Sequence, residues 1–187
     1  MNQRGLVERA REGDHDAFTM LAGAAIARLD AAARLILRDR ELARDAVQDA
    51  LIRAWRDLPG LRDPDRFDAW LHRLTVNACL DATRRRRRRV IEVELTPLAH
   101  PSVGDAAAEL ADRDVLDEAL RRLTPEWRAV VVLHYYLGMP VPEVAVALRI
   151  PEGTVKSRLH RSIGAMRTTL AEVDPADRSA VPGGQFA

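Results

Sequence analysis

The sequence predicts an all-α protein built from two small helical domains that a flexible linker joins. Apolar residues recur at helical spacing through most of the 187 residues, and aromatic residues make up only 4% of them. A stretch with prolines and a glycine interrupts this periodicity over residues 90–112. We therefore expect an N-terminal domain over residues 1–89, a C-terminal domain over residues 113–172, and a disordered tail over residues 173–187.

The N-terminal domain is expected to contain about four helices. Helical periodicity begins at residue 6 and breaks at residues 13–14, 38–41 and 58–65. The last break contains two prolines and a glycine, and it is predicted to be a loop because proline lacks a backbone donor and biases the preceding residue away from helix. These breaks separate the helices that carry the candidate binding residues.

Four neighbouring residues of the third predicted helix form a candidate partner surface. They lie opposite its alanine-rich side and comprise Asp45, Gln48, Asp49 and Ile52. An exposed isoleucine among acids and a glutamine is informative, because isolated surface charges are ordinary. The alternative, a solvated helix face with Ile52 half-buried, is equally compatible with the pattern.

The fourth predicted helix carries a candidate surface for single-stranded DNA. It ends in six consecutive arginines, and one side of it presents Trp70, Asn77, Asp81, Arg84 and Arg88. Tryptophan can stack on an exposed base, asparagine offers a paired donor and acceptor, and arginines neutralise phosphates. Taken singly, Trp70 could instead be a core aromatic, and the polar residues an ordinary solvated face. Their occurrence together favours DNA binding.

A helix-turn-helix is predicted over residues 141–167, as a short apolar helix, a tight turn and a second helix with a basic outer face. The side of the second helix that is expected to face the core carries Val155, Leu159, Ile163, Met166 and Leu170. The opposite side would present to base edges Lys156, Ser157, His160 and Arg161. The alternative is a basic amphipathic helix that solvates one side of a bundle.

Capping residues predict where two helices of the C-terminal domain begin. Thr124 is followed by Pro125, an N-cap residue followed by proline at the first helical position. Thr154 is predicted as the N-cap of the second helix of the helix-turn-helix, with Gly153 ahead of it allowing a sharp turn. The first turn of that helix would then point into the major groove of DNA.

Composition limits the classes of function. The net charge is only +1, so affinity for nucleic acid must come from clustered charge. The single Cys79 excludes a disulfide framework or a cysteine-rich zinc site, and no HExxH motif, phosphate loop or nucleophile elbow occurs. We therefore expect no metal, no cofactor and no enzymatic activity. No apolar run approaches the length of a membrane span and the N-terminus is too polar for a signal peptide, which predicts a cytoplasmic protein.

These segments, taken together and in order, resemble the sigma-70 family of RNA polymerase sigma factors, specifically the small extracytoplasmic-function (ECF) group. Residues 45–55 are similar to the part of family region 2 that binds the clamp helices of the polymerase β′ subunit. Residues 67–89 resemble the part that melts and reads the minus-ten promoter element. Residues 122–161 resemble region 4, which binds the β flap and reads the minus-thirty-five element. The resemblance covers residues 6–170.

The resemblance implies a role for each candidate surface. Binding of the polymerase core is assigned to Asp45, Gln48, Asp49 and Ile52. Binding of melted minus-ten DNA is assigned to Arg66, Trp70, Asn77, Asp81, Arg84, Arg85 and Arg88, with the loop of residues 61–66 beside a flipped base. Binding of the minus-thirty-five element is assigned to Thr154, Lys156, Ser157, Arg158, His160 and Arg161. The family also implies promoter DNA and an anti-sigma factor as partners. Flipping a base costs about a few kcal/mol, which a pocket and a basic helix must supply without nucleotide hydrolysis.

Some residues depart from the family pattern. Asp49 replaces the more usual glutamate and Leu51 the usual phenylalanine, both mild changes. Arg149 stands where the helix-turn-helix commonly has glycine, and a left-handed conformation there would cost about 1 kcal/mol. Val141 and Pro142 replace the usual hydroxyl cap. The differences at residues 141, 142 and 149 concern the angle of the second helix of the helix-turn-helix, which would read the DNA.

A stand-alone helix-turn-helix regulator is the alternative function. Such a regulator would need a dimerisation or ligand-binding domain. It would also leave Trp70, Asn77 and the arginine run without a role beside the acidic face of the preceding helix.

Overall fold

The computed structural model describes residues 2–92 and 110–173, which form helices and turns with no strand among them. The N-terminal lobe contains α1 (Gln3–Arg11), α2 (His15–Leu37), α3 (Arg40–Asp57) and α4 (Phe67–Glu92). The C-terminal lobe contains α5 (Leu110–Arg121), α6 (Pro125–Val131), α7 (Val141–Leu148) and α8 (Glu152–Val173). The all-α prediction is confirmed, and each predicted break in the N-terminal half separates two helices.

Side-chain caps determine where several helices begin. Asn2, Asp14 and Asp39 precede α1, α2 and α3, and each accepts hydrogen bonds of 2.9–3.1 Å from backbone N–H groups of the first turn. Thr124 caps α6 as predicted, because its hydroxyl accepts from the backbone N–H of Trp127 at 3.4 Å. Each cap satisfies a donor that has no partner within the helix.

Small residues on α3 allow close packing of the N-terminal lobe. Ala43, Ala46, Ala50 and Ala54 are all buried, so the backbone of α3 approaches both α2 and α4. Phe67, the largest fully buried side chain among the described residues, begins α4 and packs into the same core. The alanine-rich face therefore points inward, and the polar face of α3 points to solvent.

The turn of the helix-turn-helix contains a left-handed arginine. Arg149 follows α7 with φ 55° and ψ 45°, the conformation for which glycine is the usual residue. After this turn α8 begins at Glu152, and the Pro151 carbonyl accepts from the backbone N–H groups of Thr154 and Val155 at 2.9 and 3.1 Å. The prediction of Thr154 as the N-cap is wrong, since Pro151, with its fixed φ, leads the chain into the helix earlier.

The buried side of α8 differs in part from the predicted one. Val155, Leu159 and Met166 are buried as expected, whereas Leu170 is 39% exposed. Ser162 and Thr169 are fully buried in the core instead. The Thr169 hydroxyl donates to the carbonyl of Ala165 at 3.1 Å, so helix backbone satisfies this polar group and allows it to lie in an apolar layer.

The two lobes pack against each other. Helix α7 lies on α4, α6 contacts α2, and one apolar cluster contains buried residues of both lobes, including Phe67 and Val144. A second cluster within the C-terminal lobe also takes in Leu35 of α2. Polar contacts accompany them: Arg28 donates to the Leu137 carbonyl at 3.2 Å. The described lobes are therefore in direct contact.

Most of the predicted linker lies outside the described residues. Helix α4 extends to Glu92 and α5 begins at Leu110, so helix reaches into both ends of the stretch 90–112. The predicted tail at residues 173–187 also lies outside them, apart from Val173 at the end of α8. No helix in residues 2–92 and 110–173 is long and apolar enough to cross a membrane.

Candidate nucleic-acid interface

The exposed face of α3 combines polar groups with one large apolar side chain. Asp45 and Gln48 are exposed and Ile52 is 59% exposed, so this isoleucine is not half-buried. Asp49 lies closer to the neighbouring helix, with its carboxylate 3.6 Å from a guanidinium nitrogen of Arg85 in α4. The four predicted residues thus share one face, but Asp49 also contacts the arginine run.

Helix α2 adds to this face a surface that the sequence pattern did not reveal. A groove of about 970 Å³ runs between α2 and α3, and its lining includes Ile26, Gln48, Ile52 and Trp55. Ile26 of α2 is 47% exposed. Both helices therefore present an exposed isoleucine to one groove. In the sequence, Ile26 stands out as an apolar residue outside the buried stripe of α2. Only the packing of the helices shows that α3 lies beside it.

Trp70 has both a packing contact and an open side. It is half-buried, packs against the core, and lies 6.0 Å from Phe67 between ring centroids. It also lines a cleft of about 570 Å³ that separates the loop of residues 60–66 from α7. The core-aromatic and base-stacking interpretations of Trp70 are thus compatible, because one side of the ring is packed and another borders the cleft.

The polar residues further along α4 are held by ion pairs. Asp81 lies 3.5 Å from Arg53 of α3 and 3.1 Å from Arg84, and all three side chains are at least one third exposed. Asn77, one turn earlier on the same face, is half-buried. Asp81 therefore positions two arginines as well as lying on the predicted face.

The arginine run of α4 is distributed among acids on several helices. Pairs form between Arg84 and Asp81, Arg85 and Asp49, Arg86 and Asp39, and Arg87 and Glu126, at 3.1–3.6 Å. Each side chain in these pairs is at least 33% exposed. Exposed pairs of this kind contribute about 0.2–1 kcal/mol, so a phosphate can replace the carboxylate at small cost.

The outer face of α8 is open for contact with DNA. Lys156, Ser157, His160 and Arg161 are exposed as predicted, and Arg158 and Thr154 are half-buried at its edge. The Ser157 hydroxyl donates to the Thr154 carbonyl at 3.0 Å, which leaves its oxygen available as an acceptor. This helix therefore presents a basic face of the kind that enters a major groove.

Buried titratable groups lie away from these faces. Burial raises the pKa of the Cys79 thiol to about 12. Burial, and secondarily the positive charge of Arg38, lowers the pKa of the Arg128 guanidinium to about 10. Burial, and secondarily Arg28, lowers the pKa of His72. In the part of the chain that the structure describes, no group of three or more His, Cys, Asp or Glu side chains could hold a metal ion.

Comparison with known proteins identifies the class of protein to which this chain belongs. The profile "Sigma-70 region 2" matches residues 24–89 and the profile "Sigma-70, region 4" matches residues 113–180. The RNA polymerase sigma-E factor of Streptomyces avermitilis is 37% identical over 142 residues, which span 76% of this chain and 78% of that protein. The ECF RNA polymerase sigma factor SigL of Mycobacterium tuberculosis is 36% identical over 72% of this chain and 78% of its own length.

A solved structure agrees in fold. The sigma factor RpoE of Bartonella quintana, in complex with the anti-sigma factor NepR, superposes with a TM-score of 0.70 at 25% identity, over 86% of this chain and 98% of that one. The two profile matches and these relatives define a sigma-70 factor. The chain belongs to the ECF group of that family.

Proposed function

We propose that this protein binds core RNA polymerase and directs promoter recognition, strand opening and transcription initiation. The observation that carries the proposal is the presence, in one chain, of two separate basic faces on different lobes, on α4 and α8. A two-element promoter requires two such faces. The protein is not an enzyme in this role, because contacts to DNA supply the energy of base capture. Its place of action is then the cytoplasm.

We assign the groove side of α3 to the polymerase core. Asp45, Gln48, Asp49 and Ile52 are proposed to contact the β′ clamp helices, with Ile52 as the apolar anchor among polar groups. An anchor of this kind fits a partner interface, where a central apolar contact is surrounded by a polar rim. The C-terminal lobe is proposed to contact the β flap.

We assign the DNA contacts to the two basic faces. Melted minus-ten DNA is proposed to contact Arg66, Trp70, Asn77, Asp81, Arg84, Arg85 and Arg88. The minus-thirty-five element is proposed to contact Thr154, Lys156, Ser157, Arg158, His160 and Arg161. Region 2 is proposed to span residues 1–89 and region 4 residues 113–172, with residues 90–112 linking them. Because RpoE was solved with NepR, an anti-sigma factor is a further proposed partner.

Transcription with purified core polymerase tests the proposal. Added to core enzyme, the protein should direct initiation at a two-element promoter. Without core polymerase, the isolated chain should not occupy that promoter as a repressor would. The alternative, a stand-alone helix-turn-helix regulator, predicts tight and specific promoter binding by the isolated chain. Binding as tight as that of the holoenzyme would refute the initiation-factor proposal.

A further inference from the structure

Helix α1 contacts the loop that precedes α4 through two polar side chains. Arg4 donates to the Asp65 carboxylate at 3.0 Å, and the Gln3 amide donates to the Asp68 carboxylate at 2.7 Å. Asp65 lies in the short helical turn Pro64–Arg66, and Asp68 lies in the first turn of α4. Two neighbouring residues of α1 therefore hold both sides of the junction between the loop and α4.

Apolar packing joins α1 to the same loop. Helix α1 contacts the short helical turns Leu58–Gly60 and Pro64–Arg66, which begin and end the loop. Val7 of α1 and Leu58 are fully buried in one apolar cluster, which also contains the buried Leu61. The two polar contacts thus accompany a packed interface between α1 and the loop.

The loop presents different residues to α1 and to the cleft that Trp70 borders. The lining of this cleft includes Arg62 and Arg66, but not Asp65, which lies between them in sequence. The Asp65 carboxylate instead accepts from Arg4. Helix α1 therefore holds the loop through a residue outside the cleft, so its contact leaves the cleft open to DNA.

Hydrogen bonds at the end of the loop centre on Asp63. Its side chain accepts from the backbone N–H of Asp65 at 3.0 Å, and its carbonyl accepts from the backbone N–H of Arg66 at 3.1 Å. Asp65 is the middle residue of the turn that these bonds close. The contact between Asp65 and Arg4 therefore helps to determine where the neighbouring Arg66, which is assigned to minus-ten DNA, leaves the backbone.

We propose that α1 positions the minus-ten loop, residues 58–66, with Gln3 and Arg4 as positioning residues that hold the loop in its base-capturing shape before DNA arrives. The inference rests on the proposed function, since this loop belongs to the surface assigned to melted minus-ten DNA. A loop already held in its bound shape loses less conformational freedom on binding, and it discriminates better between bases. Both contacts are exposed, so each should contribute a factor of at most about five.

Amide hydrogen exchange of the full chain tests the positioning without reference to transcription. Arg4→Met should raise the exchange rates of the Asp65 and Arg66 amides about two- to fivefold, because the turn that contains them opens more often. Arg9→Met is the matched control, since it removes a cation from the same helix but Arg9 pairs with Asp14, the N-cap of α2. Equal exchange rates in the two variants would overturn the proposal.

Base discrimination by the holoenzyme tests the consequence for DNA binding. On promoters with single-base changes, Arg4→Met should lower the preference for the favoured base at one minus-ten position about two- to fivefold. Competition for core polymerase and binding to the minus-thirty-five element should stay unchanged. Gln3→Ala should act in the same direction, because it frees Asp68. A uniform loss over all single-base promoters would contradict positioning, since a weakened fold or weaker attraction affects every sequence equally.

Two double variants separate the lost contact from the repulsion of DNA by an unpaired carboxylate. Arg4→Met with Asp65→Asn lacks both charges, so a loss of base discrimination that persists in it supports positioning, whereas full recovery would refute it. Arg4→Asp with Asp65→Arg exchanges the two charges and should bring exchange rates and base preference back towards those of the unmodified chain. No recovery in this variant would count against the pair.

The failure of this inference and the failure of the proposed function are distinguishable. If the chain does not direct transcription with core polymerase, the initiation role is refuted, while amide exchange still decides whether α1 holds the loop. Conversely, if Arg4→Met and Arg9→Met exchange alike at Asp65 and Arg66, the positioning role is refuted even when the unmodified chain directs transcription normally.

Discussion

Arg85 of α4 lies 3.6 Å from Asp49 of α3, which joins the arginine run to the face proposed to bind polymerase. Arg53 strengthens this junction, because it pairs with Asp49 on its own helix and with Asp81 on α4 at 3.9 and 3.5 Å. The two proposed surfaces thus share an ion-pair network. Polymerase binding at Asp49 would change the partner of Arg85 and free it for a phosphate.

The first prediction concerns the exposed face of α3. Asp45→Arg combined with Gln48→Ala should weaken binding to core polymerase and leave the fold intact, because both side chains are exposed. Competition for core polymerase against the unmodified protein measures the effect. Glu8→Arg on α1 makes the same change of charge on another exposed helix and should compete normally. Full competition by the double variant would refute the assignment of this face.

The second prediction concerns strand opening. Trp70→Ala and Asn77→Ala should impair promoter opening more than formation of the closed complex, because stacking and base capture operate only on separated strands. A premelted promoter should therefore partly restore activity. Trp70 also packs on the core, so Trp70→Phe is the control that keeps an aromatic side chain there. Equal losses on duplex and premelted templates would assign Trp70 to packing and Asn77 to general binding.

The positions of helices and faces could be predicted from local sequence, whereas contacts between lobes could not. The face of α3 follows from helical periodicity. For Arg149, the sequence indicated only that glycine is common at its place in the turn, and the structure gives the left-handed conformation. The predicted start of α8 is wrong because Pro151 precedes the first helical residue, Glu152, whereas a side-chain cap was expected at Thr154. The pair of Arg38 and Asp117, 79 residues apart, has no local signature at all. The ion pairs between the arginine run and acids on other helices could not be predicted for the same reason, because their partners are distant in sequence.

The third prediction concerns the two left-handed arginines. Arg149→Gly should stabilise the protein by about 0.5–1 kcal/mol, because it removes the strain of a side chain at φ 55° and Arg149 is exposed. Arg38→Gly relieves similar strain but loses three hydrogen bonds to Asp117, so it should show no such gain. Thermal unfolding compares the variants, and about 1 kcal/mol corresponds to about 2–4 °C. Equal stabilisation by both would contradict the prediction.

The fourth prediction concerns pH. The pKa of His72 lies below its usual 6.5 in the folded protein, mainly because of burial and then because of Arg28. The unfolded chain therefore binds this proton first, so His72 contributes stability that is present above pH 6.5 and is lost as pH falls through its folded pKa. Thermal unfolding between pH 7 and 5 should show a decline that His72→Gln reduces. An identical decline in the variant would exclude His72 as its source.

The fifth prediction separates base reading from phosphate attraction on α8. Arg161→Ala should cost about 1–3 kcal/mol at one base position and relax the preference there, if its guanidinium is bidentate to a guanine. Arg167 is also exposed but lies further along α8, so Arg167→Ala should weaken all sequences equally and lower the salt dependence of binding. The measurement is binding of holoenzyme to single-base variants of the minus-thirty-five element at two salt concentrations. A uniform loss for Arg161→Ala across those variants would make it a phosphate contact, and the base-reading role would then pass to Lys156 or His160 on the same face.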